Sequence, residues 1–495
     1  MTVPPSRITS HRATQAATGE PTAHSTGFDP MGALAGVLSD VGLSRTEIGC
    51  AVSFAGQDPI LPAAHRLGAC IGVPLMAGAV AANAFHRHRG GPAQELHLDL
   101  RQAVHTINPG AFWHPTLSGE PAPHPLVLDN PFLITPFRTA DGRWVMASAV
   151  YPHQVAQWCR FLDVPPDSAR VATAVAALHS LELEDAANAQ GLPACVVRTR
   201  DEWIAHEQGA LLAGQPVIGL ERIGDAPPCD YRASARPFDG VRVLSFTHAV
   251  AGPTVGRTLA EQGADVLCAT RPNDFEHDFI YAEANVGSRS AYLDLDDPAG
   301  RERAGGLLAE ADIVVDNYRT GSLARRGLHP RRLADRYPGI IYVSINCYGA
   351  AGPWAGRGGF DMNASAASGL MTIEGSESLP RLPVTALIND YITGYMGAIG
   401  ASAGLVKRAT EGGSWHVTVS LTRTAMWCGS LGIVDPALAG CDGEHTLREP
   451  DPYDASTPFG PVHMVAPPVR FSDTPPVWAH PILVPRGSSS PTWRS

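Results

Sequence analysis

The sequence predicts an α/β fold built on a doubly wound parallel sheet, with a smaller α+β domain joined to it. From Pro237 onward, short apolar runs alternate with helical stretches, and Gly, Pro or Asp stands at the junctions. A helix, a double-glycine turn and a strand near residue 400 are echoed in the same order near residue 80.

Within the regular region, Val241-Arg242-Val243-Leu244-Ser245-Phe246 reads as a buried strand, and Gly252-Pro253 opens a helix toward Gln262. Further strands are expected over 264–269, 291–295, 312–316 and 340–346. Asp297 and Pro298 mark the start of a helix reaching Glu310, as an N-cap followed by a first-turn proline. The segment 397–407, Gly412-Gly413 and 417–421 reads as an Ala/Gly-rich helix, a turn and a strand, and its echo is 72–87, Gly90-Gly91 and 96–100. Between the two, a hairpin over 136–145 turns at Asp141-Gly142 and opens a mostly helical stretch. The expected division is therefore a disordered tail (1–30), a degenerate half-copy of the large-domain helix and strand (31–130), a small α+β domain (131–225) and a linker (226–236). The sheet domain (237–430), a closing segment (431–484) and a second disordered tail (485–495) follow.

The bulk composition narrows the function. Of the 495 residues 44% are apolar, and the formal charge of −11 argues against nucleic acid and against an anionic membrane surface as partners. Nine cysteines without a C-x-x-C pair indicate neither a disulfide framework nor a zinc cluster, so no metal is expected and a reducing cytoplasm fits best. The first 26 residues lack the apolar core of a signal peptide. The apolar stretch 71–84 is interrupted by Gly72, Pro74, Gly78 and Asn83 and falls short of the roughly 20 residues that span a bilayer.

Taken together, Gly240-Val241-Arg242-Val243-Leu244, Ala251-Gly252-Pro253, Gly256-Arg257, Gly263-Ala264-Asp265-Val266, Leu293-Asp294-Leu295, Asn317-Tyr318-Arg319-Thr320-Gly321, Gly352-Pro353 and Gly359-Phe360-Asp361 have a specific order and spacing. In these residues the chain resembles the family III CoA-transferases, a group that includes formyl-CoA transferase, carnitine CoA-transferase and the α-methylacyl-CoA racemases. The resemblance implies a Rossmann-like domain, acyl-CoA and a carboxylic acid as substrates, and no cofactor beyond the coenzyme A thioester itself.

It also implies a nucleophile. The family's aspartate attacks the acyl-CoA carbonyl, giving a mixed anhydride and then an aspartyl-CoA thioester, and Asp390 occupies the matching position. Read without the family, Asp390 is a helix N-cap, and both roles can coexist. Asp361 is a second carboxylate that either assists at the site or caps a helix. Phe360 stands where the racemases carry a histidine base, which counts against racemisation. His248 follows the first strand and lies at the carboxyl edge of the sheet, where such folds bind ligands; a purely structural role is the alternative. Val250, Ala251 and Gly252 start the next helix, whose N–H groups could hold an oxyanion. Arg271, Arg319 and Arg325, with Arg326 beside them, suit the nucleotide phosphates of CoA; solvated surface arginines are the plainer reading.

No Asp or Glu lies between Asp58 and Glu95, so the half-copy supplies no equivalent of Asp390. Residues 66–225 are expected to pack on the 237–475 unit like a second subunit, giving a pseudo-dimer with one working site, or else two chains pair as a homodimer. Besides CoA transfer, the sequence leaves open racemase-like proton transfer and non-catalytic binding of CoA thioesters.

Overall fold

The computed structural model describes residues 28–44, 49–122 and 130–494; the first expected tail lies outside them as far as residue 27. The described chain starts into α1 (Pro30–Asp40), capped by the Asp29 carboxylate. A front unit then runs β1 (Ala51–Ala55), α2 (Leu67–His88), a Gly90-Gly91 turn and β2 (Glu95–Asp99), with β1 and β2 parallel. The α2 helix is longer than the apolar stretch read from the sequence. Gly72 does not interrupt the helix; it faces Leu100, whose Cδ2 would lie 2.3 Å from an added Cβ. At 22 residues, with a mean hydropathy of 1.6 over its most apolar 18, α2 is long and apolar enough to cross a membrane, yet 83% of that window is buried inside the fold.

The main sheet has seven strands: β3 (Gly219–Gly224), β4 (Arg242–Phe246), β5 (Asp265–Thr270), β6 (Arg289–Tyr292), β7 (Ile313–Asp316), β8 (Ile341–Asn346) and β9 (Ser414–Ser420). Their order across the sheet is β6-β5-β4-β7-β8-β9-β3, all parallel except β3. Six parallel strands in this order form a doubly wound sheet whose connections reverse direction between β4 and β7. Successive side chains point to opposite faces, and each face has its own core: Val243, Val266, Val315 and Val343 on one side, Leu244, Leu267, Val314 and Tyr342 on the other.

The helix α3 (Ala251–Ala260) follows β4, α4 (Asp278–Ala284) follows β5, and α5 (Asn389–Thr410) lies between β8 and β9. Small residues let α5 approach its neighbours closely: a Cβ on Gly394 would stand 2.5 Å from Thr254 Cβ and 2.7 Å from the Ala251 carbonyl oxygen. Gly394→Ala is expected to lower stability by about 1–3 kcal/mol, read as an earlier chemical-denaturation midpoint, because backbone must move to admit the methyl group.

Several expected boundaries change. The strand inside 216–225 joins the main sheet at its edge instead of the small domain, pairing antiparallel with β9 through Val417–Leu220. The small domain keeps a three-stranded sheet (Phe137–Arg138, Trp144–Ala147, Ala194–Val196), helices such as Pro152–Leu162, and a core around Trp158. The linker is packed: Gly413 N donates to Ala226 O at 2.9 Å, and Tyr231 meets Phe85 edge-on at 4.7 Å. In the closing segment, Gly460–Val465 pairs with Thr116–Leu117, and Arg470–Phe471 pairs with β2, so it binds the front unit. The second expected tail is ordered over 485–494. Ser489 N donates to Ser290 O at 2.7 Å, and Trp493 Nε1 donates to Leu307 O at 3.1 Å. These pairings are non-local, which is why polar composition alone misjudged the segment.

Candidate active site

A cleft of about 680 Å³ opens at the carboxyl ends of β4, β5, β7 and β8. Its walls carry Thr247, His248 and Ala249 after β4, Arg271 and Asp274 after β5, Asn317 and Arg319 after β7, and Asn346 and Cys347 at the end of β8. This is the reversal point of the sheet, where neighbouring loops diverge and leave a crevice. Asn317 ties the two diverging loops together: its Oδ1 accepts from His248 N at 3.0 Å and its Nδ2 donates to His248 O at 2.8 Å.

Asp390 reaches this cleft from the first turn of α5. It does not cap that helix, and among the described residues no group donates a hydrogen bond to its carboxylate. The anchoring role falls to Asp361, which is fully buried and does not line the cleft. One Asp361 oxygen accepts from Ile388 N and Asp390 N, each at 2.9 Å, and the other accepts from Asn389 Nδ2 at 3.0 Å. Asp361 thus fixes the backbone that carries Asp390. Burial raises the pKa of both carboxyls; hydrogen bonds offset the rise at Asp361, whereas at Asp390 the neighbouring Asp361 charge adds to it.

His248 lies in the cleft wall with Nδ1 2.9 Å from Tyr151 Oη, and burial lowers its pKa, which favours a neutral ring. Tyr151 comes from the small domain, so the cleft is closed by a residue some hundred positions upstream of the strand it faces. Glu276 accepts from Ala249 N at 2.8 Å and from the Tyr151 hydroxyl at 3.4 Å. The sequence did not single out Tyr151 or Glu276; neither lies in a motif of the large domain.

Of the three residues expected to offer oxyanion N–H groups, Ala251 lines the cleft. Val250 faces a smaller apolar pocket beside Asp390, and Gly252 is packed between Asn317 and Thr247. Cys347 is the other potential nucleophile in the wall, but burial pushes its pKa well up and keeps it a thiol.

Arg271, Arg319 and Arg325 all line the cleft. Arg271 is held by Asp274 at 2.8 Å, and Arg319 donates to Gly191 O at 2.8 Å. Arg326 turns away to Asp296 at 2.7 Å. Arg486, from the terminal segment expected to be a tail, also lines the cleft, anchored to Thr270 Oγ1 and Asp274 O at 2.8 Å. A cleft with one unpaired carboxylate and several guanidinium groups can hold a phosphorylated thioester and attack its carbonyl.

A family model described as CoA-transferase family III matches residues 6–235 and 238–455. Acetyl-coenzyme A transferase nodX of Hypoxylon pulicicidum is 39% identical over 198 residues, which are 39% of this chain and 33% of that protein. The human succinyl-CoA:glutarate CoA-transferase is 31% identical over 205 residues, 39% of this chain and 47% of that protein. The chain thus spans about a third to a half of the length of these curated relatives. The orthorhombic crystal structure of Rv3272 from Mycobacterium tuberculosis is 28% identical, with a TM-score of 0.37, over 40% of this chain and 58% of that one. Because the family model matches both the front and the back of the sequence, leaving out little between residues 6 and 455, the chain belongs to CoA-transferase family III.

Proposed function

We propose that the chain moves CoA from an acyl-CoA thioester to a carboxylic acid, with Asp390 as nucleophile. The observation that carries this is the Asp390 carboxylate in the cleft, held by Asp361 through its own backbone N–H and left without a hydrogen-bond donor among the described residues. In the first step an Asp390 oxygen attacks the thioester carbonyl, the C–S bond breaks and CoA leaves as thiolate, giving a mixed anhydride. The thiolate then attacks the Asp390 carbonyl of that anhydride and releases the first acid as carboxylate. The second acid reverses both steps, leaving as a new acyl-CoA and restoring Asp390. Phe360, in the cleft wall, has no proton to exchange at an α-carbon, which favours transfer over racemisation. Turnover with an oxygen-18-labelled acceptor acid tests this: label is expected on Asp390, because the acid's oxygen bridges the second anhydride and stays on Asp390 when CoA takes the acyl group, and an unlabelled Asp390 after turnover would rule out the covalent relay.

The cleft arginines are assigned to the CoA nucleotide. Arg325→Ala is expected to raise KM for an acyl-CoA about tenfold and to leave KM for the corresponding acyl-pantetheine unchanged, since the latter has no nucleotide to hold. An equal penalty on both thioesters would remove Arg325 from that role.

The front unit fits this reading as an inert counterpart, so that one chain holds an internal pair with one nucleophile. Asp58 accepts from Gly68 N and Ala69 N, each at 2.8 Å, at the start of α2, much as Asp361 does at the start of α5. Asp390 precedes Gly412 by 22 residues, and the residue 22 before Gly90 is Gly68. A Cβ there would lie 2.8 Å from Asp58 Oδ1, which leaves no room for a second nucleophile. The scattered cysteines, without a C-x-x-C pair, fit a reducing, cytoplasmic setting.

A further inference from the structure

A second, smaller cavity of about 40 Å³ adjoins the cleft, and Ala249, Phe360 and Asp390 line both. Its remaining wall is almost wholly apolar, with Val250, Phe279, Ile280, Met362 and Leu387. The one charged group there besides Asp390 is Glu283, on α4. The hydroxyl of Tyr391, the residue after the proposed nucleophile, donates to Glu283 Oε1 at 2.7 Å. Among the described residues no Lys or Arg lines this cavity.

Building on the CoA-transfer reading, we propose that this cavity is the acyl site and that it selects short, uncharged acyl groups of about two to four carbons. Three properties lead there. The first is position: a thioester carbonyl placed against Asp390 from the cleft has its CoA side toward the arginines, and its acyl side has the small cavity next to it. The second is size. A water-sized group takes roughly 10–15 Å³ of such space, so the cavity admits about three. The third is charge. The far carboxylate of a dicarboxylic monothioester would meet Glu283 with no cation in the cavity wall to pair with, since Arg257 reaches only the Glu283 backbone carbonyl from outside it, and like charges at short range in a desolvated pocket are strongly unfavourable. Burial raises the Glu283 pKa while Arg257 and the Tyr391 hydroxyl pull it back, so the penalty on a second carboxylate grows as pH rises. Donor and acceptor acids each form their own anhydride on the same Asp390 carboxyl, so one pocket screens both.

Exchange of an isotope-labelled acid into its own CoA thioester isolates one acyl group at a time. At pH 8, kcat/KM for acetyl and propionyl exchange is expected to exceed that for succinyl and hexanoyl exchange by at least about 100-fold. Glu283→Gln, which keeps the bond to Tyr391, should raise succinyl relative to acetyl exchange at least about tenfold without helping hexanoyl. Met362→Ala should do the reverse. Succinyl or hexanoyl exchange within tenfold of acetyl in the unaltered protein would overturn the proposal, as would a Glu283→Gln protein with an unchanged succinyl-to-acetyl ratio. Labelling of Asp390 by every thioester at equal rates would defeat the pocket assignment alone. Absence of Asp390 labelling by every thioester, acetyl included, would defeat the transfer reading and the pocket with it.

Discussion

Replacing Asp390 by Asn is expected to lower CoA exchange by at least about 10³-fold while leaving acyl-CoA binding within a few-fold of the unaltered protein. The amide has nearly the shape of the carboxylate but cannot form the anhydride, so the loss falls on kcat. Folding should be little affected, because no group among the described residues donates to the carboxylate and the helix start is anchored by Asp361. Burial and the nearby Asp361 charge both penalise an ionised Asp390, so removing that charge is expected to relieve the fold slightly. Exchange rates paired with a binding isotherm for a non-transferable CoA thioether check both halves of the expectation.

The second large effect is at Asp361, a positioning residue. Asp361→Asn leaves one oxygen to accept from Ile388 N and Asp390 N, but its amide nitrogen faces the donor Asn389 Nδ2. An expected drop in kcat of about 10- to 100-fold with little change in KM follows from the loosened helix start. The pH profile separates this from a merely structural defect. Asp390 must be ionised to attack, and its pKa is raised by burial and then by the Asp361 charge, so the rate falls as pH falls, at a pH above the usual carboxylate range. Without the Asp361 charge that acid limb should move to lower pH; a limb that stays in place would mean that the two carboxyls do not interact. For stability the sign is opposite to that of an ordinary paired carboxylate. The folded state keeps protons that the unfolded chain releases near 3.8, so these two groups disfavour the fold increasingly as pH rises toward their raised pKa values.

Much of the large domain was legible because parallel strands buried on both faces read as plain apolar runs: Val241 to Phe246 contains β4 and 340–346 contains β8. Asp390 was legible through the motif that surrounds it. The partners that complete the cleft were not, because each arrives by long-range packing. Tyr151 reaches His248 from the small domain, Arg486 comes from a segment whose composition resembles a tail, and β3 leaves the small domain to form the sheet edge. The separation of Asp361 from the cleft was also hidden: in sequence it sits beside Phe360 in an active-site motif, while in space its side chain turns inward to the start of α5. Periodicity and motif order report local structure and ancestry; which loops meet at a sheet's reversal point is decided by the whole topology.

The most direct test is to quench the protein during turnover with hydroxylamine and sequence its peptides by mass spectrometry. An aspartyl-CoA thioester at the proposed nucleophile predicts a hydroxamate on Asp390, formed only when an acyl-CoA is present and absent from Asp390→Asn. Unmodified Asp390 under conditions of active exchange, or a hydroxamate on a different carboxylate, would contradict it.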